Sequence, residues 1–145
     1  MIRDIRASGA NVTYDDLIAF NADDAMKVAP NLGMESGPIT DITVLDLRAD
    51  SCHSFVRILS ISEAIEDLRI AGIRGGCRLS VVNMDATRDC TPDCQLLPPG
   101  VDVTRVGRVS RVRIEDVKIH KVRGYLPHDD LKPLLDLRTN MTGFS

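Results

Sequence analysis

The chain has 145 residues, of which 43% are hydrophobic, a size for one domain with enough apolar material for a continuous core. Its 18 basic and 21 acidic residues are scattered and leave a formal net charge of −3, so no basic field gathers nucleic acid or an anionic membrane. Tyr14, Phe20, Phe55, Tyr125 and Phe144 are too few and too dispersed for a base-stacking platform.

The opening Met1-Ile2-Arg3-Asp4-Ile5-Arg6 has no apolar run of signal-peptide length, and nowhere do 18 apolar residues run together. Neither an export signal nor membrane contact is expected. The first element is a weak copy of an apolar pattern at offsets 0, 3, 5 and 8: Ile2, Ile5, Ala7 and Ala10. Stronger copies follow at Ile39, Ile42, Val44, Leu47, then Ile65, Leu68, Ile70, Ile73, then Val109, Val112, Ile114, Val117. The segments are rich in β-branched residues, and their middle pairs alternate with polar neighbours, as half-buried strands do. An offset of 3 at either side predicts a bend at each end of a short strand.

A second strand-like run follows each copy: Leu17-Ile18-Ala19-Phe20, Phe55-Val56-Arg57-Ile58-Leu59, Leu79-Ser80-Val81-Val82 and Pro133-Leu134-Leu135-Asp136-Leu137. Turns are predicted between the two at Ser8-Gly9, Arg48-Ala49-Asp50, Arg74-Gly75-Gly76 and Arg123-Gly124. Two strands per repeat describe one coil of a solenoid, in which stacking buries an apolar column that no single coil buries alone. The expected fold is therefore all-β: a right-handed parallel β-helix of about four coils, one domain over 1–145, cut from a longer helix. Loop insertions are expected near 23–38, 89–107 and 123–132.

Helical alternatives are poorer. Residues 15–28 make at most a turn or two of amphipathic helix, and 129–137 is interrupted by Pro133. Ile65-x-x-Leu68-x-Ile70 fits the opening of a leucine-rich repeat, but that pattern wants Asn or Cys where Leu47, Ile73 and Val117 stand. Copies starting at residues 2, 39, 65 and 109 are also too unevenly spaced for it. With neither Met1 to Ile5 nor Thr142 to Ser145 resembling a cap, self-association through the ends of the stack is expected.

Cys52 and Cys77 stand at offsets 13 and 12 of neighbouring copies, which predicts two stacked, buried thiols. Cys90-x-x-x-Cys94 lacks the second ligand pair of a zinc site and suits a loop disulfide better, so no metal and no cofactor are expected. Asn21, Asn83 and Asn140 each follow a second strand and are read as turn residues of a polar ladder.

Thr13-Tyr14-Asp15-Asp16-Leu17-Ile18-Ala19-Phe20 resembles the Asp-Asp strand of the polygalacturonase-like family 28 glycoside hydrolases, parallel β-helices of the pectin-lyase-like superfamily. One copy later, Cys52-His53-Ser54-Phe55-Val56-Arg57-Ile58 is similar to the strand where that family carries its active-site His. The resemblance implies inverting hydrolysis of an anionic polysaccharide outside the cell, with Asp16 as general acid, Asp15 activating water and His53 orienting or relaying a proton. Arg57 and Arg78 are the candidates to meet the anionic sugar. The family's Asn-x-Asp motif is not found ahead of the pair, no Lys stands where its Arg-x-Lys strand would fall near residues 78–85, and Ser54 replaces its Gly. These departures imply an incomplete or inactive relative. The rival reading is a non-catalytic, structural or carbohydrate-binding module such as part of a tail spike or adhesin.

From the residues alone, adjacent Asp15 and Asp16 point to opposite sides of an extended strand and serve one site only if the backbone bends there. An Asp pair that merely ends a loop is the plainer alternative, as is a solvent-facing His53 at a turn.

Overall fold

The computed structural model describes residues 1–9, 15–22, 37–61, 63–84, 107–123, 133–137 and 141–145. Among these residues there are eight strands: β1 (Ile2–Arg3), β2 (Arg6–Ala7), β3 (Ile18–Asn21), β4 (Ile39–Leu59), β5 (Ala64–Met84), β6 (Arg108–Lys121), β7 (Leu135–Leu137) and β8 (Met141–Phe144). All join one sheet, every pairing is parallel, and no helix occurs among the described residues. The segments raised as helical alternatives contribute β3 and β7 instead.

The pairing follows chain order. β1, β2 and β3 lie on β4, β4 on β5, β5 on β6 and β7, and β6 on β8. Such a layer-by-layer stack of parallel strands is compatible with a parallel β-solenoid. The apolar quartets meet in register: Ile39 with Ile65 with Val109, Ile42 with Leu68 with Val112, Val44 with Ile70 with Ile114, and Leu47 with Ile73 with Val117. β8 extends the first two columns with Met141 and Phe144.

The first copy is displaced from the expected alignment. Ile2 faces Val44, not Ile39, and Ala7 faces Ala49. The pattern permits this because its spacing of three recurs after five residues, so Ile2, Ile5 and Ala7 match Val44, Leu47 and Ala49 as well as they match the start of the quartet.

Spacing of three needs explanation, since residues three apart in an extended strand face opposite sides. The backbone supplies a left-handed residue inside each interval. One column holds Asp41 (φ 57°), Asp67 (56°) and Arg111 (53°); the other holds Asp4 (58°), Asp46 (61°), Gly72 (79°) and Asp116 (56°). In β4 and β5 each such residue turns the chain so that the apolar side chains before and after it both pack on the core. Asp tolerates this region better than most residues, and the conformation costs about 1–2 kcal/mol. Burying two apolar side chains contributes about 1.5–3 kcal/mol each, so the bend is favourable overall. Arg111, the exception to Asp and Gly, is held by its guanidinium, which donates to Asp67 Oδ1 at 2.7 Å and to Glu66 Oε2 at 3.0 Å.

The expected turns at 48–50 and 74–76 prove to be irregularities within continuous strands. β4 and β5 run through them with register shifts between Ala49 and Cys52 and between Cys52 and Ser54. Of the other two expected turns, Ser8-Gly9 follows β2, whereas Gly124 lies outside the described residues. So do Asn140 and nearly all of the three expected loop insertions. The core is densest in β4 and β5, where Leu47, Phe55, Ile58, Ile70 and Ile73 are fully enclosed. It opens at β6 and β7, where Val117, Leu134 and Leu135 are 40, 43 and 50% exposed. These three line an apolar cavity of about 490 Å³ with Ile114 and Phe144.

Gly75 has φ 120°, and a Cβ there would collide with the carbonyl oxygen of Ala49. Gly75→Ala should lower stability by about 3 kcal/mol or more, the sum of backbone strain and overpacking. Gly37→Ala, whose Cβ meets nothing within 4 Å, should stay near neutral. Urea midpoints of the two variants check the contrast.

Candidate functional site

Asp15 and Asp16 precede β3 and are tied to the next layer before that strand begins. The His53 N–H donates to Asp15 O at 3.2 Å, and the Leu17 N–H donates to Ser54 O at 2.8 Å. These bonds bring the Asp pair beside the middle of β4. The Asp16 N–H also donates to Asp15 Oδ1 at 2.9 Å, a local bend of the kind Asp side chains favour. That bend answers the requirement set by the sequence: one donor atom each from Asp15, Asp16 and His53 fall within 4.8 Å of one another.

Asp16 is the centre of the group. Its side chain is only 4% exposed, with Oδ1 3.6 Å from His53 Nδ1 and Oδ2 3.6 Å from an Arg57 guanidinium nitrogen. A carboxyl buried this deeply requires polar company. Arg57 is half-buried and His53 about a third exposed, so the cluster reaches solvent on the His53 and Asp15 side. Of the expected site residues, Asp15, Asp16, His53 and Arg57 are therefore brought together.

Arg78 is enclosed, only 1% exposed; its guanidinium donates to Ser51 Oγ at 3.2 Å and its carbonyl accepts from Lys121. Ser54, standing where the resembling family has Gly, is fully buried and in register with Ser80.

Three residues at or beside the group escape the sequence reading as site members. Arg57 is in register with Asn83, and Asn83 with Asp136, which makes a polar column through three layers. Asn83 and Asp136 are 5 and 6% exposed. Asn21 faces Leu59, so the expected asparagine ladder is replaced by this mixed column. Lys121 lies across from Cys77 and donates its Nζ to the carbonyls of Arg78, at 2.8 Å, and Leu79. No local motif marks these residues; only the register between layers does.

Cys52 and Cys77 stack as expected, both free and fully buried. Burial, reinforced by Cys77, pushes the Cys52 thiol up to about 12. Cys90 and Cys94 lie outside the described residues.

One carboxylate oxygen of Asp15 and one of Asp16 lie within 4.8 Å of each other, near enough to act together on one small ligand. No family model, curated protein or solved structure matches the chain.

At pH 8, iodoacetamide should leave Cys52 and Cys77 unmodified in the native protein and alkylate both in urea, by peptide mass mapping. The folded Cys52 value of about 12 lies above the ordinary 9.0. Its contribution to stability is thus complete below pH 9 and is lost as pH rises toward 12.

Proposed function

We propose that the chain is a stretch of right-handed parallel β-helix, about four coils long, related to polygalacturonase-type glycoside hydrolases and directed at an anionic polysaccharide. Right-handedness is supported by the near-universal hand of parallel crossover connections. The observation that carries the functional reading is the buried Asp16 carboxyl, flanked at 3.6 Å by both His53 and Arg57 from the adjacent strand. In this reading Asp16 is the general acid, His53 orients it or relays its proton, Asp15 assists water, and Arg57 meets the substrate carboxylate.

The enclosed Arg78 and the absence of a Lys near residues 78–85 argue that this chain alone turns over slowly or not at all, since an anionic substrate meets less counter-charge. Calorimetric titration with oligogalacturonates should show binding that weakens about tenfold in Arg57→Ala, the loss of one charge-assisted contact, with no reducing-sugar release from polygalacturonate. Release abolished by Asp16→Asn would overturn the inactivity. Absence of binding to any anionic oligosaccharide would favour the non-catalytic structural module.

Self-association belongs to either reading. The apolar opening beside Val117, Leu134 and Leu135, with the part of the β6 edge that β8 leaves uncovered among the described residues, invites a second copy. Sedimentation velocity should show a weight-average mass that rises with concentration. A sharp monomer at all concentrations would contradict it.

A further inference from the structure

We propose that Asp15, Asp16 and His53 form a binding site for one divalent transition-metal ion, with zinc the best match to the donor set. The inference uses the side chains of the site above but does not depend on any action on sugar. Its starting point is an unmet requirement inside the cluster. Asp16 Oδ1 and His53 Nδ1 are both inaccessible to solvent, face each other at 3.6 Å, and have no hydrogen-bond partner among the described residues. An N–H···O bond spans about 2.7–3.2 Å, so the pair stands too far apart for one. Zinc bonds of about 2.0–2.2 Å in tetrahedral geometry hold neighbouring donors about 3.4 Å apart, close to the separation seen.

The third donor and the supporting contacts fit the same ion. A carboxylate oxygen of Asp15 falls within the 4.8 Å cluster, and Asp15 Oδ1 accepts the Asp16 N–H, which orients the group. A carboxylate oxygen has lone pairs for both a hydrogen bond and a metal. Arg57 sits against Oδ2 of Asp16, the oxygen that does not face His53, in the place of an outer partner that fixes a ligating carboxylate. Backbone pairing of His53 N–H to Asp15 O locks the two layers that supply the donors.

Charge selects the kind of ion. Two carboxylates are partly offset by the Arg57 guanidinium, which weakens a site for calcium or magnesium, ions that rely on many oxygen ligands and on charge. Zinc takes nitrogen and oxygen donors together and is satisfied by three protein ligands plus a solvent molecule. Imidazole in the set points the same way.

The test is calorimetric titration of the 145-residue chain with zinc chloride and, separately, calcium chloride, in a Cys90→Ser/Cys94→Ser background that removes the loop thiols. One equivalent of zinc should bind, calcium should bind at least tenfold more weakly, and Asp15→Asn and His53→Gln should each weaken zinc at least tenfold, roughly the scale on which a lost ligand or its support acts. Asp15 is exposed, so its variant is expected to fold, which far-ultraviolet circular dichroism checks. X-ray absorption of the zinc-loaded parent should show a shell of nitrogen and oxygen alone. No binding, binding unchanged in Asp15→Asn, equal calcium affinity, or sulfur in the shell would each overturn the proposal. No saccharide is present, so these outcomes leave the polysaccharide reading untouched.

Discussion

The whole stack depends on a single left-handed residue placed between two apolar ones. Without it, Ile39 and Ile42 would face opposite sides of their strand, as would Val44 and Leu47, and half the apolar residues would point to water. With Asp41 and Asp46 in that conformation, all four enter the core. The arrangement then repeats in the next layers, because a bent strand accepts as its neighbour only a strand bent at the same places. Asp67 and Gly72 lie over Asp41 and Asp46, and Arg111 and Asp116 lie over them in turn. Register across the sheet is thus enforced by backbone shape as well as by side-chain packing.

Much of this architecture is legible in the sequence because the spacing of apolar residues is itself a record of the bends. The quartets at Ile39, Ile65 and Val109 pair as their sequences align. The same regularity misleads at Ile2, since a pattern that repeats every five residues has two equally good alignments and only the pairing of Ile2 with Val44 decides between them. At 48–50 and 74–76, Gly and charged residues suggest chain reversals. There the strands continue: β4 carries one extra residue between Ala49 and Cys52 and β5 one between Cys77 and Ser80, so the original register is restored.

The candidate site divides along the same line. Asp15, Asp16, His53 and Arg57 come from two adjacent layers, and their proximity follows from strand entry at equivalent places. Arg78 has the right residue type in a plausible strand, yet sequence carries no sign of whether an arginine faces water or the interior. Asn83 and Asp136 are hidden for another reason. Their alignment with Arg57 spans connections of unequal length, which no periodicity in the chain reveals.

Those unequal connections have a consequence for how the chain folds. In-register partners are 42 residues apart from β1 to β4, 26 from β4 to β5 and 44 from β5 to β6. Closing a longer loop costs more entropy, and parallel pairing gains nothing until closure is complete. β4 and β5 have the shortest closure, joined by only residues 60–63, and they also hold most of the enclosed core. The shortest closure and the most enclosed core thus coincide in β4 and β5, which favours their pairing early, with the flanking layers added to a sheet already formed.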